Sequence, residues 1–214
     1  MAVRPIYQSQ SHAPFCEIID VNFQFYSGFS TSQKQKSIES LHKQYNKLYP
    51  EHNVLEISSK SKSDLGVALS AFHLKIKTPQ CNCSVECAFQ SSKVFEEGGP
   101  FTDLLDKSSR EAKKDQRLHE SGKLTAFQYF DYEFPLEPKD YFYNWLYINA
   151  LMQNQELAHA ILEFDSFSDI EFNPQKSINC QAKAAAVFVG LSKQHLLEDA
   201  LLSHENFLKI VYER

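Results

Sequence analysis

The segment from Ser84 to Phe95 carries an acid, an amide and an amine at helical spacing. Glu86, Gln90 and Lys93 occupy positions i, i+4 and i+7, which share one face of an α-helix. The sequence therefore predicts one helix over the whole segment, with these three side chains on the same face. A carboxylate and an amine on one wall of a cleft can transfer a proton or form a covalent intermediate. The same spacing is also typical of an ordinary solvent-exposed helix face.

A second candidate amine, Lys34, lies one turn before the apolar stripe of another predicted helix. Ser30 and Gln33 form a capping-box pattern at the start of this helix. Its stripe consists of Ile38, Leu41, Tyr45 and Leu48. A lysine that extends the stripe faces inward, where partial loss of water favours the neutral, nucleophilic form of an amine. The structural alternative is a lysine that extends along the edge of the core.

Several segments of the chain resemble the NADAR superfamily. The Glu-x-x-x-Gln-x-x-Lys-x-Phe pattern of residues 86–95 is similar to its Glu-His-Tyr-Tyr-Gln-x-x-Lys-Phe helix. Leu-Ser-Ala-Phe at 69–72 resembles its Phe-Ser-Asn-Phe turn, and its later helix and strand resemble residues 153–157, 161–162 and 169–171. A closer resemblance, carried by residues 28–30, 32–42 and 95–100, is to the antitoxin branch encoded beside DarT-type DNA ADP-ribosyltransferase toxins.

This resemblance implies cleavage of the bond between an anomeric ribose carbon and a base nitrogen. In the antitoxin branch that nitrogen is the exocyclic amine of guanine in DNA. Such a bond breaks through an oxocarbenium-like transition state, and the departing amine needs a proton. The resemblance makes Glu86 the expected catalytic carboxylate, and Lys34 is our candidate for a covalent nucleophile. ADP-ribosylated DNA is the expected substrate, ADP-ribose the product and the cognate DarT-type toxin a further candidate partner; no cofactor and no metal are expected.

Gln90 and Lys93 are expected to bind the substrate because they belong to the same motif as the catalytic carboxylate. Asn179 corresponds to the Asn of the superfamily's Gly-x-Asn-x-Leu-Gly turn, where its amide would hold a hydroxyl or a phosphate; its alternative role is the N-cap of the following helix. Tyr129 belongs to an aromatic stretch that could stack a flipped guanine or an adenine, or could simply be core.

Local charge differs from the overall charge. The net charge of −5 argues against a protein that coats nucleic acid in general. One segment is nevertheless basic, and its cations are Lys107, Arg110, Lys113, Lys114, Arg117 and Lys123. We predict a single helix from residue 108 to 120 in which Arg110 and Arg117 bind the diphosphate of ADP-ribose or DNA phosphates. An ordinary exposed basic helix is the alternative.

The sequence also departs from the small-molecule branch of the superfamily. That branch carries an Asp followed by Trp-Gly after the position of Glu171, whereas this chain continues Phe-Asn-Pro-Gln-Lys at 172–176. The Asp-Trp dipeptide of the basic segment is missing as well. These differences favour a modified nucleic acid as the substrate. The alternatives are an N-glycosidase for a small ribosylated metabolite and a non-catalytic antitoxin that binds the toxin directly.

The composition is that of a globular protein: 214 residues, 43% hydrophobic and 23% charged. Cys81, Cys83 and Cys87 lack a partner set at zinc-finger spacing, so we do not expect a zinc site. The longest apolar run, from Ala184 to Leu191, is too short to cross a bilayer, so a cytoplasmic protein is expected.

The predicted elements alternate between short strands and helices. Predicted strands cover residues 17–27, 54–57, 73–77, 125–134 and 168–172. Predicted helices cover residues 30–50, 84–95, 108–120, 138–163, 180–191 and parts of 196–212, with the helix of 138–163 the longest. We therefore predict an α+β fold, a single, mainly helical NADAR-like domain over residues 1–214.

Overall fold

The computed structural model describes residues 2–175 and 177–213. The fold is α+β, as predicted. The chain forms two compact units, the first from residues 1–70 and 156–214 and the second from residues 71–155. A single domain over the whole chain stays a prediction. Among the described residues, no helix is long and apolar enough to cross a membrane.

The strands are short and the helices vary in length. The strands are β1 (Ala2–Ser9), β2 (Cys16–Phe23), β3 (Val54–Glu56), β4 (Lys75–Lys77), β5 (Asn82–Ser84), β6 (Lys93–Phe95), β7 (Leu124–Tyr129), β8 (Tyr132–Phe134) and β9 (Ser166–Ser168). The helices are α1 (Thr31–Leu48), α2 (Asp64–Ala68), α3 (Val85–Ser91), α4 (Ser109–Lys113), α5 (Arg117–Glu120), α6 (Tyr141–Met152), α7 (Gln155–Ala160), α8 (Gln181–Lys193), α9 (Leu197–Leu201) and α10 (His204–Tyr212).

The first unit is built on a four-stranded sheet in the order β2-β1-β9-β3. Strand β1 is antiparallel to β2 and β9, and β3 is parallel to β9. Helix α1 covers part of this sheet through a cluster that contains Ile6, Val21, Phe23, Ile38, Leu41, Tyr45 and Ile170. Because side chains alternate along a strand, the residue after Ile6 points to the other face. That residue, Tyr7, makes an edge contact with the ring of Phe172.

Helix α8 packs against β1, β2 and β9 of the same sheet. Its small residues allow the close approach, as Gly190 shows. A Cβ atom at position 190 would lie 2.7 Å from the carbonyl oxygen of Gln10 and 2.8 Å from Cβ of Phe15. Any larger residue at this position would force the helix away from the chain that follows β1.

The second unit combines a two-stranded sheet, β4-β5, with a three-stranded sheet, β6-β7-β8. Helix α3 follows β5 directly and contacts α4 and α6. The unit has an aromatic core. Phe127, Phe134 and Phe142 lie with ring centres 4.7–4.9 Å apart in adjacent pairs.

Several predicted element boundaries are wrong. The predicted helix over 84–95 ends at Ser91, and residues 93–95 form β6. The predicted basic helix divides into α4 and α5, and the predicted helix over 138–163 divides into α6, α7 and a 3-10 turn. The longest helix is therefore α1, whose N-cap Ser30 was predicted correctly. The predicted strand over 168–172 is instead β9, and β1 was not predicted.

Candidate functional site

Glu86 lies in the first turn of α3, a helix whose residues are all buried. Ser84 caps this helix, because its hydroxyl accepts a hydrogen bond from the Cys87 amide at 3.1 Å. The Glu86 amide donates to the carbonyl oxygen of Ala71 at 2.9 Å, which fixes the position of the backbone. Glu86 is 6% exposed, so its carboxylate is held in a site that is nearly closed to water. A buried carboxylate needs compensating partners.

Two side chains supply partners to the Glu86 carboxylate. The amide nitrogen of Gln90 donates to Oε1 at 2.9 Å, so these two side chains share one helix face as predicted. The ammonium nitrogen of Lys113 lies 3.7 Å from the same oxygen. Within the described part of the chain, the Gln90 Oε1 atom is buried and has no hydrogen-bond partner. A buried acceptor of this kind can take a hydrogen bond from an N–H or O–H of a substrate.

Lys93 lies on β6, beyond the end of the helix that carries Glu86. It pairs with Phe127 of β7, and its ammonium nitrogen lies 5.0 Å from the centre of the Phe89 ring. Burial lowers the pKa of Lys93; the Glu86 carboxylate raises this pKa, and Lys113 lowers it. The predicted helical face is wrong for Lys93. The environment nevertheless favours a larger neutral fraction of this amine near pH 7.

Lys113 was predicted as one cation of the basic segment and was not recognised as a neighbour of Glu86. Its ammonium nitrogen lies 5.1 Å from the centre of the Phe72 ring as well as near the carboxylate. The two residues are far apart in sequence, and α4 brings them together by packing on α3. The local sequence pattern contains no signal for this pair.

Arg117 already has carboxylate partners. Its guanidinium donates to Asp103 at 2.7 and 3.0 Å and to Asp115 at 2.8 Å, and it lies 4.5 Å from the centre of the Phe101 ring. These bonds lower the pKa values of both aspartates. Phosphate binding by Arg117 stays a prediction and would compete with two ion pairs. Arg110 is exposed in α4.

Tyr129 is 5% exposed and belongs to the aromatic core of the second unit. Its ring centre lies 6.2 Å from that of Phe142 and 6.1 Å from that of Trp145. Burial raises the pKa of its hydroxyl, and the thiols of Cys81 and Cys83 add to this effect. The packing agrees with the core alternative, and stacking on a base stays a prediction.

Lys34 and Asn179 belong to the first unit. Lys34 is partly buried, and its ammonium nitrogen lies 5.7 Å from the centre of the Phe25 ring. Its inward position was predicted from the apolar stripe of α1. Three residues of that stripe are buried, whereas the fourth, Leu48, is 66% exposed. The N-cap of α8 is Cys180, so the capping alternative for Asn179 is wrong. The Asn179 Oδ1 atom is buried, and no described residue forms a hydrogen bond with it.

The first unit also contains a buried carboxyl group that sequence analysis missed. Glu56 is 3% exposed and accepts hydrogen bonds from the Ile170 amide at 2.8 Å and from the Ser168 hydroxyl. His42 Nε2 lies 2.8 Å from the same hydroxyl. Burial raises the pKa of Glu56 and lowers that of His42 to about 4. The sequence Val-Leu-Glu at 54–56 did not indicate a buried carboxyl group, because glutamate side chains are usually exposed.

Asp169 is a second carboxyl group in this environment. Its Oδ1 atom accepts from the amides of Glu171 and Phe172 at 2.9 and 3.1 Å, and Oδ2 accepts from the Gln181 side chain at 2.9 Å. Burial, followed by the charge of Glu56, raises the pKa of Asp169 to about 8. No group of three or more His, Cys, Asp or Glu side chains in residues 2–175 and 177–213 could hold a metal ion.

The comparisons with known proteins agree with the resemblance of the sequence. The family model described as DarT1-associated NADAR antitoxin matches residues 2–214. No curated protein matches the chain.

Proposed function

Since a match over this length means that the chain belongs to the DarT1-associated NADAR antitoxin family, we propose that it is an N-glycosidase that removes ADP-ribose from guanine in DNA. An antitoxin with this activity would reverse the modification that the toxin makes. Glu86 is the proposed catalytic carboxylate. Gln90 and Lys93 are the proposed substrate-binding residues closest to it, and Arg110, Arg117, Tyr129 and Asn179 are further candidates.

The observation that supports this proposal best is the environment of Glu86. The carboxylate is 6% exposed, accepts a hydrogen bond from Gln90 at 2.9 Å and lies 3.7 Å from the ammonium of Lys113. Burial lowers the pKa of Lys93, and the charge of the nearby Glu86 carboxylate acts on this pKa in the opposite direction. A buried carboxylate next to an amine with a lowered pKa is an arrangement typical of catalytic sites.

One proposed route uses water as the nucleophile. Glu86 accepts a proton from water while the water oxygen bonds to the anomeric carbon. The bond from that carbon to the guanine amine breaks, its electron pair returns to the nitrogen, and the nitrogen takes up the proton that Glu86 accepted, which restores the carboxylate. The carboxylate also stabilises the positive charge that develops on the sugar. The products are unmodified guanine in DNA and ADP-ribose.

The second route uses a lysine. A neutral amine bonds to the anomeric carbon as guanine leaves with a proton, the sugar ring opens to a Schiff base, and water then releases ADP-ribose from the lysine. Lys34 is our candidate from the sequence. Lys93 is the stronger candidate by environment, because its lowered pKa increases the neutral fraction of its amine.

The proposal is tested on an oligonucleotide that carries a single ADP-ribose on a guanine amine. Mass analysis should find the unmodified oligonucleotide and free ADP-ribose after incubation with the protein. An oligonucleotide with ADP-ribose on a terminal phosphate is the matched control and should stay intact. Cleavage of a free ribosylated base with no cleavage of DNA would indicate the metabolite enzyme. If neither the DNA nor the free ribosylated base is cleaved, and the protein binds the toxin and inhibits it, the protein is a non-catalytic antitoxin.

A further inference from the structure

Phe29 has the greatest fractional exposure among the large apolar side chains of residues 2–175 and 177–213. It is fully exposed, at 104% of its reference area, and the next values are 74% for Leu202 and 66% for Leu48. Single exposed apolar residues are common, but a phenylalanine ring that makes almost no contact with its own protein leaves its whole apolar surface available to a partner.

The loop that carries Phe29 is tied to α1 at both ends. The Tyr26 amide donates to the Ser37 hydroxyl at 2.9 Å, and the Gln24 amide donates to the Ser40 hydroxyl at 3.1 Å. On the other side of Phe29, the Ser30 hydroxyl accepts from the Gln33 amide and caps α1. These bonds position the backbone on both sides, so the ring is presented to solvent by a fixed loop.

The helix that follows the loop begins with a basic stretch. Lys34 and Lys36 lie in the first two turns of α1, and no acidic side chain lies in its first turn. No described residue forms an ion pair with either lysine, whereas the next acid, Glu39, is paired with Lys62. Phe25, at the start of the loop, is 38% exposed and has the Lys34 ammonium 5.7 Å from its ring centre. Phe29 thus precedes, by a few residues, two lysines without an ion-pair partner among the described residues, and a ring and cations together are complementary to an unpaired base and its phosphates.

We propose that Phe29 stacks on an unpaired base of the DNA that flanks the modified guanine, while Lys36, near the start of α1, contacts an adjacent phosphate. This rests on the proposed function, in which DNA is the substrate. A base offers a flat π face whatever its sequence, so this contact would give affinity without sequence preference. It would also hold an unstacked strand open, which the chemistry needs because the sugar–guanine bond must be reached.

The test combines a protein variant with a DNA variant. Phe29→Ala should weaken binding to a single-stranded oligonucleotide roughly 5- to 100-fold in a fluorescence anisotropy titration, the range expected for one lost base stack. Phe29→Trp should bind at least as well as the wild type. Leu202→Ala removes a similarly exposed apolar side chain from the same unit and should leave the affinity unchanged. Melting temperatures should be equal for all variants.

A set of oligonucleotides with an abasic linker at each flanking position completes a double-mutant cycle. At one position, loss of the base should weaken wild-type binding by the same factor as Phe29→Ala, and it should not weaken Phe29→Ala further. Additive losses at every position would overturn the proposal. An unchanged DNA affinity of Phe29→Ala would also overturn it. If Phe29→Ala loses toxin binding but keeps DNA binding, the ring belongs to a protein interface instead.

The activity assay separates this inference from the proposed function. Phe29→Ala should lower turnover of the modified oligonucleotide at limiting concentration but cleave a free ADP-ribosylated guanine nucleoside at the wild-type rate. Failure of the wild type to cleave either substrate would refute the proposed function, whereas equal rates of Phe29→Ala and wild type on the oligonucleotide would refute only the role of Phe29.

Discussion

Replacement of Glu86 by glutamine removes the proposed catalytic charge and changes little else in the site. The new amide has the same size, and its oxygen can still accept the hydrogen bond that Gln90 donates at 2.9 Å. The ion pair with Lys113 is lost, but its 3.7 Å length and the 57% exposure of the lysine limit its worth to about 1 kcal/mol or less. The melting temperature should therefore fall by only about 2–4 °C.

The effect on the reaction should be much larger. Loss of a general acid or base lowers turnover by roughly two to four decades, which corresponds to about 3–5 kcal/mol in the barrier. Single-turnover cleavage of the guanine-modified oligonucleotide, followed by mass analysis, measures this ratio. Lys113→Met is the matched control, because it removes the same ion pair and keeps the carboxylate.

The two variants separate the possible roles of Glu86. If the carboxylate acts in catalysis, Glu86→Gln should be far slower than Lys113→Met although both lose the same ion pair. Equal rates for the two variants would mean that Glu86 serves only to hold the lysine. A wild-type rate for Glu86→Gln in a folded protein would remove Glu86 from the mechanism altogether.

Three further predictions concern the nucleophile, the basic segment and the buried acids. Borohydride added during turnover should trap a sugar on Lys93, in keeping with its lowered pKa. Trapping on Lys34 would assign the adduct to α1. If no adduct forms and Lys93→Ala and Lys34→Ala both stay active, water is the nucleophile. Arg110→Glu should weaken binding to modified DNA and flatten its salt dependence at an unchanged melting temperature, and equal salt slopes would mean that Arg110 belongs to an ordinary surface. Folded Asp169 keeps its proton up to about pH 8, whereas the unfolded chain loses it at lower pH, so the free energy of unfolding should fall as the pH rises toward 8. The pKa of His42 is lowered from 6.5 to about 4, which makes stability rise with pH over that interval. The fall due to Asp169 should therefore be clearest above pH 6.5. Urea unfolding midpoints measured across this pH range should fall less for Asp169→Asn than for the wild type.

Local sequence patterns predicted a helix correctly where a capping residue marks its start. Helix α1 begins after Ser30, as its capping pattern indicated, and Ile38, Leu41 and Tyr45 are buried as their spacing required. The Glu86–Gln90 contact was predictable for the same reason, because i, i+4 pairs meet on any helix.

Pairings between distant segments could not be read from local spacing. Helix α3 stops at Ser91 because the next residues pair with β7, where Lys93 lies opposite Phe127. The interruption after α6 has a similar origin: the Asn154 side chain donates to the carbonyl oxygens of Ala150 and Lys75, the latter on β4. Periodicity favoured a continuous helix in both places, and tertiary hydrogen bonds decided otherwise.

The charges around Glu86 form a consistent chemical arrangement. In the described part of the chain, Lys113 forms the ion pair with Glu86, and Lys93 forms none. An ammonium that is buried without a carboxylate of its own is unfavourable, so Lys93 is driven toward the neutral amine. The site thus combines a carboxylate that can transfer a proton with an amine whose neutral, nucleophilic form is favoured. A reaction that must protonate a leaving amine and attack a sugar carbon needs both functions, so Glu86→Gln should slow proton transfer, whereas Lys93→Ala should abolish the covalent adduct.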